Sequence, residues 1–259
     1  MSENVPRFQS RPRRPPPEPE AIDIRVLYED DALMAIDKPP GMVVHPTYRN
    51  WSGTLLNALL WHLRRPADAR DGRAGVQPSI VTRLDKDTSG IVLVALAPEV
   101  HARMQRDSIA GLIRKEYLAI VDGVPSPGQG SIILPLGRSP EDRRRVIVTP
   151  AGQQCHTTYE VVSSHAAHAL VRCQLVTGRT HQIRVHLAAQ GWPVTGDRVY
   201  GDANEVGRQA LHAWRVSLAH PITGGPLHLE SPVPADLQQL ISDLKLVPGE
   251  RADAWPPSQ

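Results

Sequence analysis

The stretch Thr82-Arg-Leu-Asp-Lys-Asp-Thr-Ser-Gly-Ile-Val92 passes from polar, turn-forming residues straight into the apolar run Ile91 to Leu96. An uninterrupted apolar run of this kind reads as a strand buried on both faces. The residues ahead of it then lie at the rim of a sheet, held by buried structure on one side and open on the other. Asp85 occupies that rim, a position suited to a nucleophile. Asp87 reads as a turn residue, Thr88 and Ser89 as hydrogen-bonding partners of the turn backbone, and Gly90 as the residue that permits a close bend.

Working outward, residues 24 to 28 and 33 to 37 are strand-like runs around Glu29-Asp30-Asp31, a hairpin turn, and Pro39-Pro40-Gly41 stops the second run. Ser52 or Thr54 caps a buried helix over 55 to 63, residues 65 to 78 form a polar surface loop, and Pro98 suits the first position of a helix over 98 to 111. Strands are expected at 116 to 121, 131 to 135, 144 to 149, 155 to 163 and 168 to 176, with antiparallel alternation. Thr177-Gly178 leads into a helix over about 180 to 190, ended by Gly191. Strands near 211 to 218 and 226 to 230 precede a short helix opening at Pro234. Mixed order without regular βαβ alternation makes the fold class α+β, a largely antiparallel sheet flanked by helices.

The chain has 259 residues, 41% of them hydrophobic, enough for one large core. Residues 1 to 20 hold six prolines and four arginines and read as a disordered arm. Residues 21 to 245 form the folded domain and 246 to 259 a flexible tail. Nothing approaches the roughly 20 apolar residues of a membrane span, and no secretory signal is present, so a cytoplasmic monomer is expected. Two cysteines, Cys155 and Cys173, do not make a disulfide framework or a Cys-x-x-Cys pair, and no metal is expected. The formal charge of +2 is small, but Arg11 to Arg14 and Arg143 to Arg145 are clustered. Such clusters fit a polyanionic partner or are merely solvated.

Several residues carry candidate chemistry, each with an ordinary structural alternative. Asp85 beside arginines is kept ionised, or is simply a surface salt bridge or a turn residue. Arg83, two residues earlier on an extended segment, projects into the same cleft, or pairs with a nearby acid. Tyr117 opens an apolar strand and offers an aromatic face to a base, or is a core residue. Arg184 reaches Asp85 from the helix beginning near residue 180, or belongs to a solvated face. Thr180, His181 and Gln182 lie in the first turn of that helix, where free amides favour anions. No phosphate-binding loop or dinucleotide fingerprint is present, which argues against nucleotide cofactors.

Three blocks, Arg83 to Gly90, Arg-Lys-Glu-Tyr-Leu-Ala (114 to 119) and Gly-Arg-Thr-His-Gln-Ile-Arg-Val-His-Leu (178 to 187), together resemble the active-site signature of the RluA-type pseudouridine synthases. The resemblance runs from about residue 22 to residue 236. It implies isomerisation of uridine to pseudouridine in RNA, ribosomal or transfer RNA, without a cofactor. By the same likeness Asp85 is the catalytic aspartate, and Arg83 fills the gap left by the flipped base. Tyr117 stacks on the base or helps move a proton. Arg184 pairs with Asp85, and Arg179 contacts phosphate or the helix entrance. Two features depart from the family. Thr82 stands where histidine is usual, which predicts altered RNA contacts rather than lost chemistry. The first 20 residues also do not form the small N-terminal RNA-binding domain that many members carry. A non-catalytic RNA-binding or chaperone protein on the same fold, or a nucleoside hydrolase, are the competing readings.

Overall fold

The computed structural model describes residues 15–47, 50–64, 77–202 and 207–246. Its strands are β1 (Arg25–Glu29), β2 (Leu33–Lys38), β3 (Ser79–Ile80), β4 (Ser89–Ala95), β5 (Arg114–Asp122), β6 (Gln129–Arg138), β7 (Val146–Val148), β8 (Gln153–His165), β9 (His168–Leu175), β10 (Leu211–Ala219) and β11 (Pro226–Glu230). The helices are α1 (Leu55–His62), α2 (Pro98–Ile109), α3 (Gln182–Ala189) and α4 (Ala235–Asp243). All eleven strands join one sheet in the order β1-β2-β4-β10-β5-β9-β8-β6-β7, with β3 beside β4 and β11 beside β10. Every pairing is antiparallel except β4 with β10. The α+β class expected from the sequence is the observed one.

Every residue of β4 is buried, as its apolar run predicts. Alternate residues serve opposite faces: Val92 and Val94 pack with Leu55 and Leu59 of α1, and Ile91 and Leu93 with Val100 and Met104 of α2. Thr54 caps α1, its hydroxyl accepting from the Asn57 amide, and Pro98 opens α2.

The expected domain edges shift slightly. Ordered contacts begin before residue 20: the Asn57 side chain donates to the Glu18 carbonyl at 2.7 Å, and the Gly53 amide to the Glu20 carboxylate at 2.9 Å. Proline content hid these polar anchors. Leu246, expected to open the tail, is fully buried in the main core. Residues 1–14 of the arm, 65–76 of the loop and 247–259 of the tail lie outside the described residues.

Register places the site. Gly90 lies opposite Ala213, Ala213 opposite Tyr117, Tyr117 opposite Cys173 and Cys173 opposite Tyr159, so these residues form one row across a single face. Ile183 and Leu187 of α3 belong to the same core as Tyr117, Cys173 and Tyr159. The β4–β10 contact is short, only Ser89 with His212 and Gly90 with Ala213. It is also close: Gly90 has φ +108°, and a Cβ there would sit 2.2 Å from the Ala213 carbonyl oxygen. Gly90→Ala should therefore destabilise the protein by at least ~3 kcal/mol, through a backbone clash and an unfavourable left-handed conformation. Urea unfolding measures this, and an unchanged midpoint would mean that the two strands are not so tightly apposed.

Candidate active site

Asp85 is held by a loop clamped from two sides. Lys38 ends β2 fully buried. Its ammonium donates to the carbonyls of Pro39 (2.7 Å), Met42 (3.0 Å) and Lys86 (3.0 Å). Burial lowers its pKa to about 8, against the opposing charges of Asp87 and Asp85. On the other side Arg208, paired with Asp236 at 2.7 Å, donates to the Asp87 carbonyl at 3.0 Å. Thr88 and Ser89 do not turn back on the loop backbone as expected. Their hydroxyls meet the Gln209 amide (3.2 Å) and His212 Nδ1 (3.0 Å), because the parallel strand β10 and the segment just ahead of it bring those polar groups alongside.

The second half of the site comes from α3 and the turn after it. Arg184 is buried and spans two carboxylates. Its Nε and Nη2 donate to the two oxygens of Asp197 at 2.6 and 2.8 Å, and its Nη1 to Oδ2 of Asp85 at 2.7 Å. Asp197 has no exposed side-chain surface, whereas Asp85 keeps 23% of its side chain open. Burial alone would push the Arg184 pKa down, but the hydrogen bonds and charges of Asp197 and Asp85 outweigh it and raise the value. The guanidinium is thus a fixed cation that orients one oxygen of Asp85 and leaves the other free.

Tyr117 is buried in the row facing this carboxylate. Burial first, and then the charge of Asp85, raise its pKa, so it remains a neutral phenol at pH 7. His181 precedes α3 in a left-handed conformation, φ 56°, with Nε2 3.7 Å from Oδ1 of Asp85. Arg83, Arg179 and Thr180 are exposed. Charge from Arg83 reaches His45, whose pKa is lowered first by burial and then by that arginine.

Gln182 does not face a ligand. It is buried, and its side chain is occupied on both ends: the Arg179 amide (3.0 Å) and Thr177 hydroxyl (2.9 Å) donate to its oxygen, while its nitrogen donates to the His156 carbonyl and Thr157 hydroxyl, both at 3.0 Å. It shapes the 177–181 turn, so its expected RNA contact is withdrawn. The helix also begins two residues later than expected, which removes Thr180 and His181 from a helical first turn. The Thr82 hydroxyl accepts from the Leu93 amide at 2.8 Å and ties the loop to β4.

Sequence reasoning missed Lys38, Asp197 and Tyr200. The lysine follows an apolar strand directly before two prolines, and Gly196-Asp197-Arg-Val-Tyr200-Gly201 is a polar turn between glycines. Both were available signals. A groove of about 400 Å³ lined by Gln129, Ser131, Thr158, Glu160, Arg172 and Gln174 is a separate feature. Cross-strand register puts these side chains on the opposite face from Tyr117.

A family model described as RNA pseudouridylate synthase matches residues 32–189, which contain Asp85, Tyr117 and Arg184. The chain belongs to that family. It is 43% identical over 239 residues to the ribosomal large subunit pseudouridine synthase D of Nitrosomonas europaea, spanning 88% of this chain and 67% of the relative. Identity to the Pseudomonas aeruginosa protein of the same name is 42%, over 86% of this chain and 72% of the relative. Among solved structures, human RNA pseudouridylate synthase domain containing 4 superposes with a TM-score of 0.67 at 26% identity, covering 87% of this chain and 95% of that one. The chain is therefore an RNA pseudouridine synthase of the RluA type, with RNA as substrate. No helix among the described residues is long and apolar enough to cross a membrane.

In this synthase the net pKa of Asp197 is lowered, since hydrogen bonds from Arg184 overcome the effect of burial. Arg184→Ala removes the largest lowering influence, leaving burial opposed only by the amides of Val199 and Tyr200. It should cost ~3–5 kcal/mol, the usual penalty for stranding a buried charge. The folded pKa of Asp197 then rises above its unfolded value, so the deficit grows as pH rises through that folded pKa and shrinks on acidification. Thermal unfolding of the variant and the parent at pH 5 and pH 8 checks the sign.

Proposed function

We propose that this chain converts specific uridines of ribosomal RNA to pseudouridine, with Asp85 as the catalytic carboxylate and the target base flipped out of its stack. The observation that carries the reading is the division of labour on Asp85: Oδ2 is fixed by buried Arg184 at 2.7 Å, while the side chain stays 23% open. A carboxylate held this way is directed and reachable. The C1′–N1 bond breaks, the base turns, and C5 bonds to C1′. The proton lost from C5 is balanced by one gained at N1, so the reaction needs no oxidant and no net water. Neutral Tyr117 lies against the base rather than acting as a ready proton acceptor. Arg83 enters the gap in the stack and offsets part of the few kcal/mol that unstacking costs. Arg179, Thr180 and His181 line the approach, with His181 nearest to Asp85.

The names of the bacterial relatives support ribosomal RNA as the target. The catalytic domain covers about residues 21–245, with the Glu18 and Glu20 contacts and buried Leu246 at its margins, and acts as a monomer in the cytoplasm. Asp85→Asn should keep RNA affinity and lose pseudouridine formation. Mapping pseudouridine in unmodified ribosomal and transfer RNA incubated with parent and variant is the test. Turnover in the variant would remove Asp85 from the mechanism, and modification confined to transfer RNA would replace the substrate.

The hairpin between β6 and β7 carries Arg143, which is exposed. Arg143→Ala should weaken RNA binding and reduce the slope of log affinity against log salt by about 1, one released counterion per lost phosphate contact. Equal slopes would mean that this arginine is only solvated.

A further inference from the structure

Tyr200 lies beside the catalytic pair, and its hydroxyl makes two hydrogen bonds of different sense. The Val146 amide donates to it at 2.9 Å, and it lies 2.7 Å from Nδ1 of His181. The amide occupies one lone pair of the phenol oxygen, and the phenol proton has Nδ1 as its nearby acceptor. With the phenol donating to Nδ1, the imidazole carries its own proton on Nε2, the nitrogen 3.7 Å from Oδ1 of Asp85. The ring of Tyr200 meets further partners. The Arg184 guanidinium carbon is 5.1 Å from its centroid, that of Arg145 is 5.8 Å away, and the His181 ring stands edge-on at 5.6 Å. Arg145 is itself tied down, donating to the Val199 carbonyl at 2.8 Å.

We infer that Tyr200 is a positioning residue for the Asp85 carboxylate: it holds His181 in the tautomer that presents an N–H to the oxygen Arg184 leaves free, and anchors that arrangement to the β6–β7 hairpin. The inference rests on Asp85 being the catalytic group. A separation of 3.7 Å is longer than a hydrogen bond. Contacts of this kind tighten when substrate closes the site, and Oδ1 then has a defined donor, as Oδ2 already does. The hairpin that supplies the Val146 amide also carries Arg143 to Arg145, so the surface expected to meet phosphate and the groups that aim the carboxylate share one rigid connection.

His181 is faced by Asp85 from the loop before β4, by Arg184 from α3, by Asp197 and Tyr200 from the turn after α3, and by Arg138 from β6. Its pKa is lowered first by burial and further by Arg184 and Arg138, while Asp85 and Asp197 oppose the shift. A hydrogen bond donated to Nδ1 also favours the neutral ring.

Tyr200→Phe keeps the ring between the two guanidinium groups and removes only the hydroxyl. The expected result is a fall of about tenfold in kcat with KM for RNA changed by less than about twofold, the pattern of a lost alignment rather than a lost substrate contact. In the free protein the His181 pKa, followed by NMR titration, should move up, because Nδ1 becomes available to a proton. His181→Gln sets an amide nitrogen where Nε2 was and should recover most of the turnover lost in His181→Ala. An unshifted His181 titration in Tyr200→Phe, or a raised KM with kcat intact, overturns the inference. An inactive parent protein would instead overturn the synthase reading, and the titration, which needs no RNA, would still decide the role of Tyr200.

Discussion

One guanidinium shared by two carboxylates organises this protein. Arg184 donates three hydrogen bonds, two to Asp197 and one to Asp85, from a position almost without solvent. Two anions around one cation leave the cluster with a net negative charge, and a guanidinium that stays protonated keeps that charge from growing. The protein assigns the two anions different surroundings. Asp197 is sealed and also accepts the amides of Val199 (2.9 Å) and Tyr200 (3.2 Å), so it fixes the arginine. Asp85 is the anion left facing outward, and its counter-ion is oriented by Asp197, whose side chain is sealed from solvent.

The same economy governs the loop that carries Asp85. A buried lysine and an arginine grip its backbone carbonyls rather than its side chains. The burial of Lys38 depresses its pKa to about 8, a cost accepted because three carbonyl oxygens converge on one ammonium.

Most of the fold was legible because its strands and helices announce themselves by apolar pattern and by breakers. The continuous run of β4, the Thr54 cap of α1 and the proline that opens α2 all appear where local chemistry puts them. What local pattern could not supply was the tertiary destination of polar side chains. Thr88, Ser89 and Thr82 look like turn residues in sequence, yet β10 and β4 supply their partners. Gln182 looks like a helix-entry residue available to a ligand and is consumed by the 177–181 turn. The ends of β6 also ran beyond the expected strand, since pairing with β8 extends it past its apolar centre. Asp85, Tyr117 and Arg184 were found through the likeness of three blocks. Asp197 and Tyr200 were not, since the glycine-flanked turn that carries them marks a bend without showing that it folds back on α3.

Asp85 and Arg184 are 99 residues apart in the chain, and among the described strands β1–β4 pair with the later strands only through the two residue pairs of β4 and β10. During synthesis, a ribosome that has made β1 to β4 has produced the acid but none of the groups that aim it. The constellation comes into being only after the polypeptide has been extended past Tyr200 and the later half has docked. The Asp85–Arg184–Asp197 cluster is thus completed only once the later half of the chain is in place.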